Sequence, residues 1–149
     1  MDISKDKLIG SATVRLSKKM TRLLNVYLKS FNITTEQWGV LRTLNEIDHI
    51  SQKELSKRTD KDQATLTKIL DLLEKHRFIE RKPNPTDRRS FLIQITKEGR
   101  ELSKELAPYM EGIFQRITDR VGEEKLEMYQ EVLLSLEKNI DELLEDTHN

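Results

Sequence analysis

Two stretches of the sequence carry side chains whose types and spacing suit contact with a nucleic acid. On a helical wheel of about 100° per residue, Ile69, Leu70 and Leu73 fall within about 60° of Leu66. Ala64, Lys68, Asp71 and Lys75 fall on the opposite side, with Lys61 and Thr67 on its borders. A helix that enters the B-DNA major groove packs one face inward and presents hydrogen-bonding groups on the other. Short side chains let its backbone approach the bases, Thr and Gln donate and accept, and Lys reaches guanine edges or phosphates. The helix N-terminus adds partial positive charge toward phosphate. The second stretch is Asp87-Arg88-Arg89. An arginine on a stiff hairpin suits a narrow minor groove, and an adjacent carboxylate can aim a guanidinium by a bidentate pair. Taken alone, the same triplet is an ordinary solvated turn.

Those side chains need elements to hold them. Leu16, Met20, Leu23, Leu24, Tyr27 and Phe31 recur at helical steps, which predicts an amphipathic helix from about Lys5 to Phe31, closed by Asn32. Thr34 with Gln37 three residues on forms a capping box for a helix lined by Trp38, Leu41 and Leu44. Ser51 and Glu54 form a second box, opening a short helix that buries Leu55 and ends near Thr59. After Asp60 a further helix starts around Lys61–Gln63 and ends near His76, with Leu66, Ile69, Leu70 and Leu73 as its stripe. Phe78–Lys82 then reads as a strand, Pro83–Asp87 as a long polar tip, and Ser90–Ile95 as a returning strand with Phe91, Ile93 and Ile95 on one face. Thr96 caps a helix through Leu102, Leu106, Met110 and Phe114, with a kink or local break expected at Pro108. Val121-Gly122 is a turn. Leu126, Tyr129, Val132, Leu133, Leu136, Ile140, Leu143 and Leu144 line a last long helix.

Two short helices joined by a tight turn and followed by a β-hairpin make a winged helix-turn-helix. The expected fold class is therefore mainly α with a small β-hairpin wing. Residues 34–96 form the DNA-binding domain, and residues 1–33 and 97–149 the flanking helices.

Charge first argues against this. The 149 residues hold 26 Lys+Arg and 26 Asp+Glu, a net charge of zero. The sum hides a dipole: residues 1–48 carry +3, residues 49–92 carry +4 and residues 93–149 carry −7. The acidic third is compatible with a plain solvated helix face, since Glu is a good helix former; that does not explain why the basic excess gathers in the middle. The chain has no cysteine, so a disulfide framework, a thiolate metal site and a thiol nucleophile are excluded. His49, His76 and His148 lack ligand spacing, so neither metal nor cofactor is expected. There is no nucleophile elbow, Gly-rich phosphate loop or H-E-x-x-H, and the five glycines are isolated, so no enzyme is expected. Met1 to Met20 is studded with charges and the longest apolar runs are two or three residues, so neither a signal peptide nor a membrane span is expected, and a cytoplasmic location is.

From Thr34 to Gly99 the sequence resembles the MarR-type (multiple antibiotic resistance regulator) transcription factors. The match runs through TTEQWGVLRTL and QKELSKRTDKDQATLTKILDLLEKHRFIERKPNPTDRRSFLIQITKEG, including the DRR wing and the closing T-K-E-G. The resemblance implies a homodimer whose terminal helices intertwine and present two winged lobes to double-stranded DNA. By position it implies that Gln63, Ala64, Thr65, Thr67 and Lys68 face the major groove, with Lys61 beside them. It likewise implies that Arg88 and Arg89 serve the minor groove, with Asp87 orienting one of them, and that Ser51, Lys53 and Lys75 contact phosphate. Three departures stand out. Asp60 occupies a turn position often held by glycine, Thr59 and Lys61 stand where the family is often apolar, and His76-Arg77 replaces a more usual Lys-Gly.

The resemblance further implies a repressor on a pseudo-palindromic operator, released by a small aromatic or amphipathic effector. Arg15, Tyr27, Trp38 and Arg42 are the candidate pocket for a phenolic carboxylate, although Tyr27 and Trp38 equally occupy core phases of their helices. The competing reading is a helical dimeric interaction module whose winged domain binds protein. In that case the basic groove-facing set is dispensable and no salt-sensitive DNA affinity appears.

Overall fold

The N-terminal amphipathic segment begins as a π-helical stretch, Asp6–Ser11, and continues into α1 (Ala12–Leu28) and a 3-10 turn, Lys29–Phe31, in a computed structural model that describes residues 4–148. Asn32 ends it at φ 55°, a left-handed conformation that Asn tolerates better than most residues. The expected capping box then forms. Thr34 Oγ1 accepts the Gln37 N–H at 3.2 Å, and Gln37 Oε1 accepts the Thr34 N–H at 3.1 Å. It opens α2 (Thr35–Glu46), which buries Trp38, Val40, Leu41 and Leu44.

A two-residue strand, β1 (Ile50–Ser51), precedes α3 (Gln52–Thr59). The second box is half made. Ser51 Oγ accepts the Glu54 N–H at 3.1 Å, while the Glu54 carboxylate turns to Arg58 one helical turn on. Asp60 takes φ 51°, and the N–H groups of Asp60 and Lys61 return to the carbonyls of Lys57 and Ser56. This is the Schellman ending that favours glycine. α4 (Gln63–Lys75) follows, burying Leu66, Ile69, Leu70 and Leu73. It ends the same way: Arg77 stands at φ 66°, with the Arg77 and Phe78 N–H groups on the carbonyls of Glu74 and Leu73. His76-Arg77 therefore makes the turn that Lys-Gly would make, at the cost of a left-handed non-glycine residue.

The wing differs from a simple hairpin. β2 (Ile79–Asn84) and β3 (Asp87–Ile95) join β1 in a three-stranded antiparallel sheet of order β1-β3-β2. β1 pairs Ile50 with Ile93 and Ser51 with Leu92; two residues are too few to show any alternation in sequence. The tip is also shorter than expected. Pro83 and Asn84 belong to β2, leaving Pro85-Thr86 as the turn and Asp87 on β3. Pro83 is tolerated because β2 is an edge strand and needs no donor on its outer side. Asn84 closes the turn, accepting from the Thr86 N–H and donating to Ser90 Oγ at 3.0 Å.

α5 (Lys97–Ile117) runs through Pro108 as one helix, without the local break the proline suggested. By internal contacts the chain divides there into two units, one up to Ala107 and one from Pro108. In the first, α2, α3, α4 and the sheet share the core, and α1 packs on α2. In the second, α6 (Glu123–His148) has no buried side chain, and Tyr129, Val132, Ile140, Leu143 and Leu144 are exposed. Among the described residues, no helix is long and apolar enough to cross a membrane.

Candidate nucleic-acid interface

The inward stripe of α4 is fully buried, which fixes the rotation of the helix and exposes Gln63, Ala64, Thr67 and Lys68; Thr65 is half-buried. Asp62 caps the helix, its Oδ1 accepting the Thr65 N–H at 2.7 Å. That bond, with further help from the Ala64 N–H and the nearby Lys68 ammonium, holds the Asp62 carboxyl below the usual carboxylate range. The positive end of α4 is thus answered by its own carboxylate rather than left bare for phosphate, as the sequence had suggested. Because the folded-state pKa is depressed, the stabilisation is present above the unfolded value and lost as pH falls through the folded one. Asn caps equally well without a charge. Asp62→Asn should therefore flatten the loss of stability from about pH 4 downward. Parallel acid-melting curves for the two proteins would show that the cap carries no such linkage.

A cleft of 790 Å³ lies between the outward face of α4, the start of α3 and the wing. Of the residues expected to touch DNA, Lys53, Gln63, Thr67, Asp87 and Arg89 line it. Phe91 lines it too, 48% exposed although its strand phase matches buried Ile93 and Ile95. Arg88 is exposed on β3 beside Arg89. Asp87 does not grip an arginine: its Oδ1 accepts the Arg89 backbone N–H at 3.0 Å, so it shapes the strand start rather than aiming a guanidinium. Ser51 Oγ accepts the Glu54 N–H to cap α3, a bond that uses a lone pair and not the hydroxyl proton. Lys61 lies away from the cleft, in a separate hollow that also holds Arg42. Lys75 is exposed in the last turn of α4, about 18 Å along the axis from Gln63 at 1.5 Å per residue.

Two residues of the cleft went unnoticed in the sequence. Arg81, only 16% exposed, reaches from β2 to α4, where it meets Asp71 at 2.7 Å, Glu74 at 3.3 Å and the Thr67 carbonyl at 3.2 Å. Its signal was available: strand alternation puts Arg81 on the same face as buried Ile79. Gln52, the first residue of α3, donates from Nε2 to Thr67 Oγ1 at 2.8 Å and to Gln63 Oε1 at 3.4 Å. No sequence pattern pointed to it.

The four residues considered for an effector are not brought together. Arg15 lines a groove along the first helix, Arg42 lines the hollow with Lys61, and Tyr27 is half-buried. Trp38 is 3% exposed, packed in the core with its indole N–H lacking a partner among the described residues. Among those residues no group of three His, Asp or Glu side chains is placed to hold a metal ion.

Residues 33–91 match the family described as MarR family. The multiple antibiotic resistance protein MarR of Salmonella typhimurium is 37% identical over 91 residues, covering 61% of this chain and 63% of that protein. The aligned part thus spans less than two thirds of that relative's length. The HTH-type transcriptional regulator FarR of Neisseria gonorrhoeae is 26% identical over 140 residues, 94% of this chain and 96% of that one. Among solved structures, a mutant MarR from E. coli complexed with operator DNA superposes with a TM-score of 0.81 at 27% identity, covering 91% of this chain and 99% of that one.

Proposed function

We propose that this chain, whose residues 33–91 match the MarR family, is a DNA-binding transcriptional regulator, a cytoplasmic repressor and not an enzyme. The observation that carries the reading is the single cleft that joins the outward face of α4 to the wing arginine Arg89. A groove-entering helix and a neighbouring minor-groove probe are the two parts a winged helix-turn-helix brings to a duplex.

Residues 34–96 form the DNA-binding part, and residues 1–33 and 97–149 the dimerising helices. The uncovered apolar stripe of α6 supports a homodimer: an amphipathic helix with no buried side chain gains by pairing with a second copy. Two copies related by a two-fold axis would read a pseudo-palindrome, their α4 helices in major grooves roughly 34 Å apart. A small ligand that changed that separation would release the duplex.

The test is a gel-shift titration at fixed salt on a duplex selected from a random pool. Thr67→Ala and Lys68→Ala should each cost about 1–3 kcal/mol of binding, and Arg89→Ala should weaken binding at the flanking minor-groove positions. Affinity should fall steeply with added salt. Unchanged affinity in all three variants would remove this surface from the reading.

A further inference from the structure

The hydrogen bonds around Thr67 leave it little choice in what it offers a base. Its hydroxyl has one proton, which goes to the Gln63 carbonyl at 2.8 Å. One of its lone pairs is taken by Gln52 Nε2 at 2.8 Å. A methyl group and one acceptor remain. Gln63 is constrained in the same way: its Oε1 faces Gln52 Nε2 at 3.4 Å, which leaves one lone pair and both amide protons free. Gln52 is itself firmly placed. It begins α3 directly after Ser51, which caps that helix and pairs with Leu92 of the central strand.

We propose that Gln52 is a specificity-determining residue: by fixing the hydroxyl of Thr67 and the amide of Gln63, it tunes the recognition helix to an A·T base pair. The proposal rests on the DNA-binding reading above. A carboxamide with a free donor and a free acceptor matches adenine N7 and N6, and a threonine methyl packs on the thymine methyl group. Gln52 acts through its neighbours and needs no contact with DNA of its own. Without it, Gln63 regains its rotamers and the Thr67 hydroxyl regains an acceptor site.

The experiment compares the wild-type chain with Gln52→Ala and Gln52→Glu by selecting bound duplexes from a random pool and reading the base frequencies at each position. Wild type should enrich A·T at one step of each half-site. Gln52→Ala should lose that preference at this step and leave the other positions and the salt slope unchanged, with affinity for the wild-type site reduced about 3–10-fold. Gln52→Glu removes the donor and places a carboxylate opposite two oxygens, so it should change the preferred base there. Urea midpoints for all three proteins check that the lobe stays folded. Should Gln52→Ala unfold, the Gln52→Glu profile alone decides. If wild type enriches a site and the folded variants return the same profile, Gln52 has no such role. If wild type enriches nothing, it is the DNA-binding reading that fails.

Discussion

Gly99→Ala should destabilise the first unit by about 3 kcal/mol, the upper end of what overpacking usually costs. A Cβ built on Gly99 would lie 2.2 Å from the Phe78 carbonyl oxygen and 2.8 Å from Ile95 Cγ1. Neither neighbour can yield easily. The Phe78 carbonyl accepts the Thr96 N–H at 3.0 Å, and the Phe78 N–H closes the end of α4 on the Leu73 carbonyl. Ile95 is 2% exposed and pairs with Ile79 in the sheet. Thr96 adds to the knot, its hydroxyl donating to the Arg77 carbonyl at 2.6 Å and accepting from the Gly99 N–H at 3.0 Å. Glycine in the first turn of α5 is thus where helix and wing come too close for any side chain. The gain in helix propensity from alanine, about 1 kcal/mol, does not offset the clash. Urea titration should show a lower midpoint with an unchanged slope. A variant as stable as wild type would mean that the approach of α5 to Phe78 is wrong.

Arg81→Met should weaken DNA binding by about tenfold, roughly 1.4 kcal/mol, and by more at low salt. The guanidinium is mostly buried, yet its carboxylate partners are 60% and 44% exposed for Asp71 and Glu74, so solvent screening limits the ion pairs' share of stability to about 1 kcal/mol. The larger effect is electrostatic. With Arg81 gone, two uncompensated carboxylates line the cleft proposed to receive the duplex, and like charges repel most strongly when screening is weak. The deficit should therefore shrink as salt rises. Adding Asp71→Asn to Arg81→Met should recover part of the affinity, because one of the repelling charges is removed. Equal deficits at low and high salt, with no recovery in the double variant, would assign Arg81 to packing alone.

Much of the fold was legible because it is written in local chemistry. The Thr34 box, the Thr96 cap and the left-handed Asp60 need only a few adjacent residues, and the α4 stripe needs one helical period. These also fixed the rotation of α4, so the exposure of Gln63, Ala64, Thr67 and Lys68 followed. What escaped was set by pairing across the chain. β1 is visible only through its partner β3. Pro83 reads as turn until the sheet order makes its strand an edge. Arg81 and Gln52 acquire their roles from α4, 10 and 15 residues away at Asp71 and Thr67. Asp87 illustrates the converse. An acid beside arginines suggests an ion pair, but a backbone N–H two residues on is nearer and already fixed in place.

The zero net charge also changes meaning in the structure. Lys53 and Arg89 face the cleft with Gln63 and Thr67, and Asp71 and Glu74 beside them are answered by Arg81, while much of the acid lies on α6, in the second unit. Attraction to a duplex depends on cations at the contact, not on the total.

We propose that this chain, as a two-fold pair, reads duplex DNA through α4 and the wing. Selecting bound sequences from a random DNA pool with the full chain tests it most directly. The expected result is an enriched inverted repeat whose half-sites are centred one helical turn apart, about 10 base pairs. Recovery of no sequence preference, or of a single unrepeated site, would contradict it.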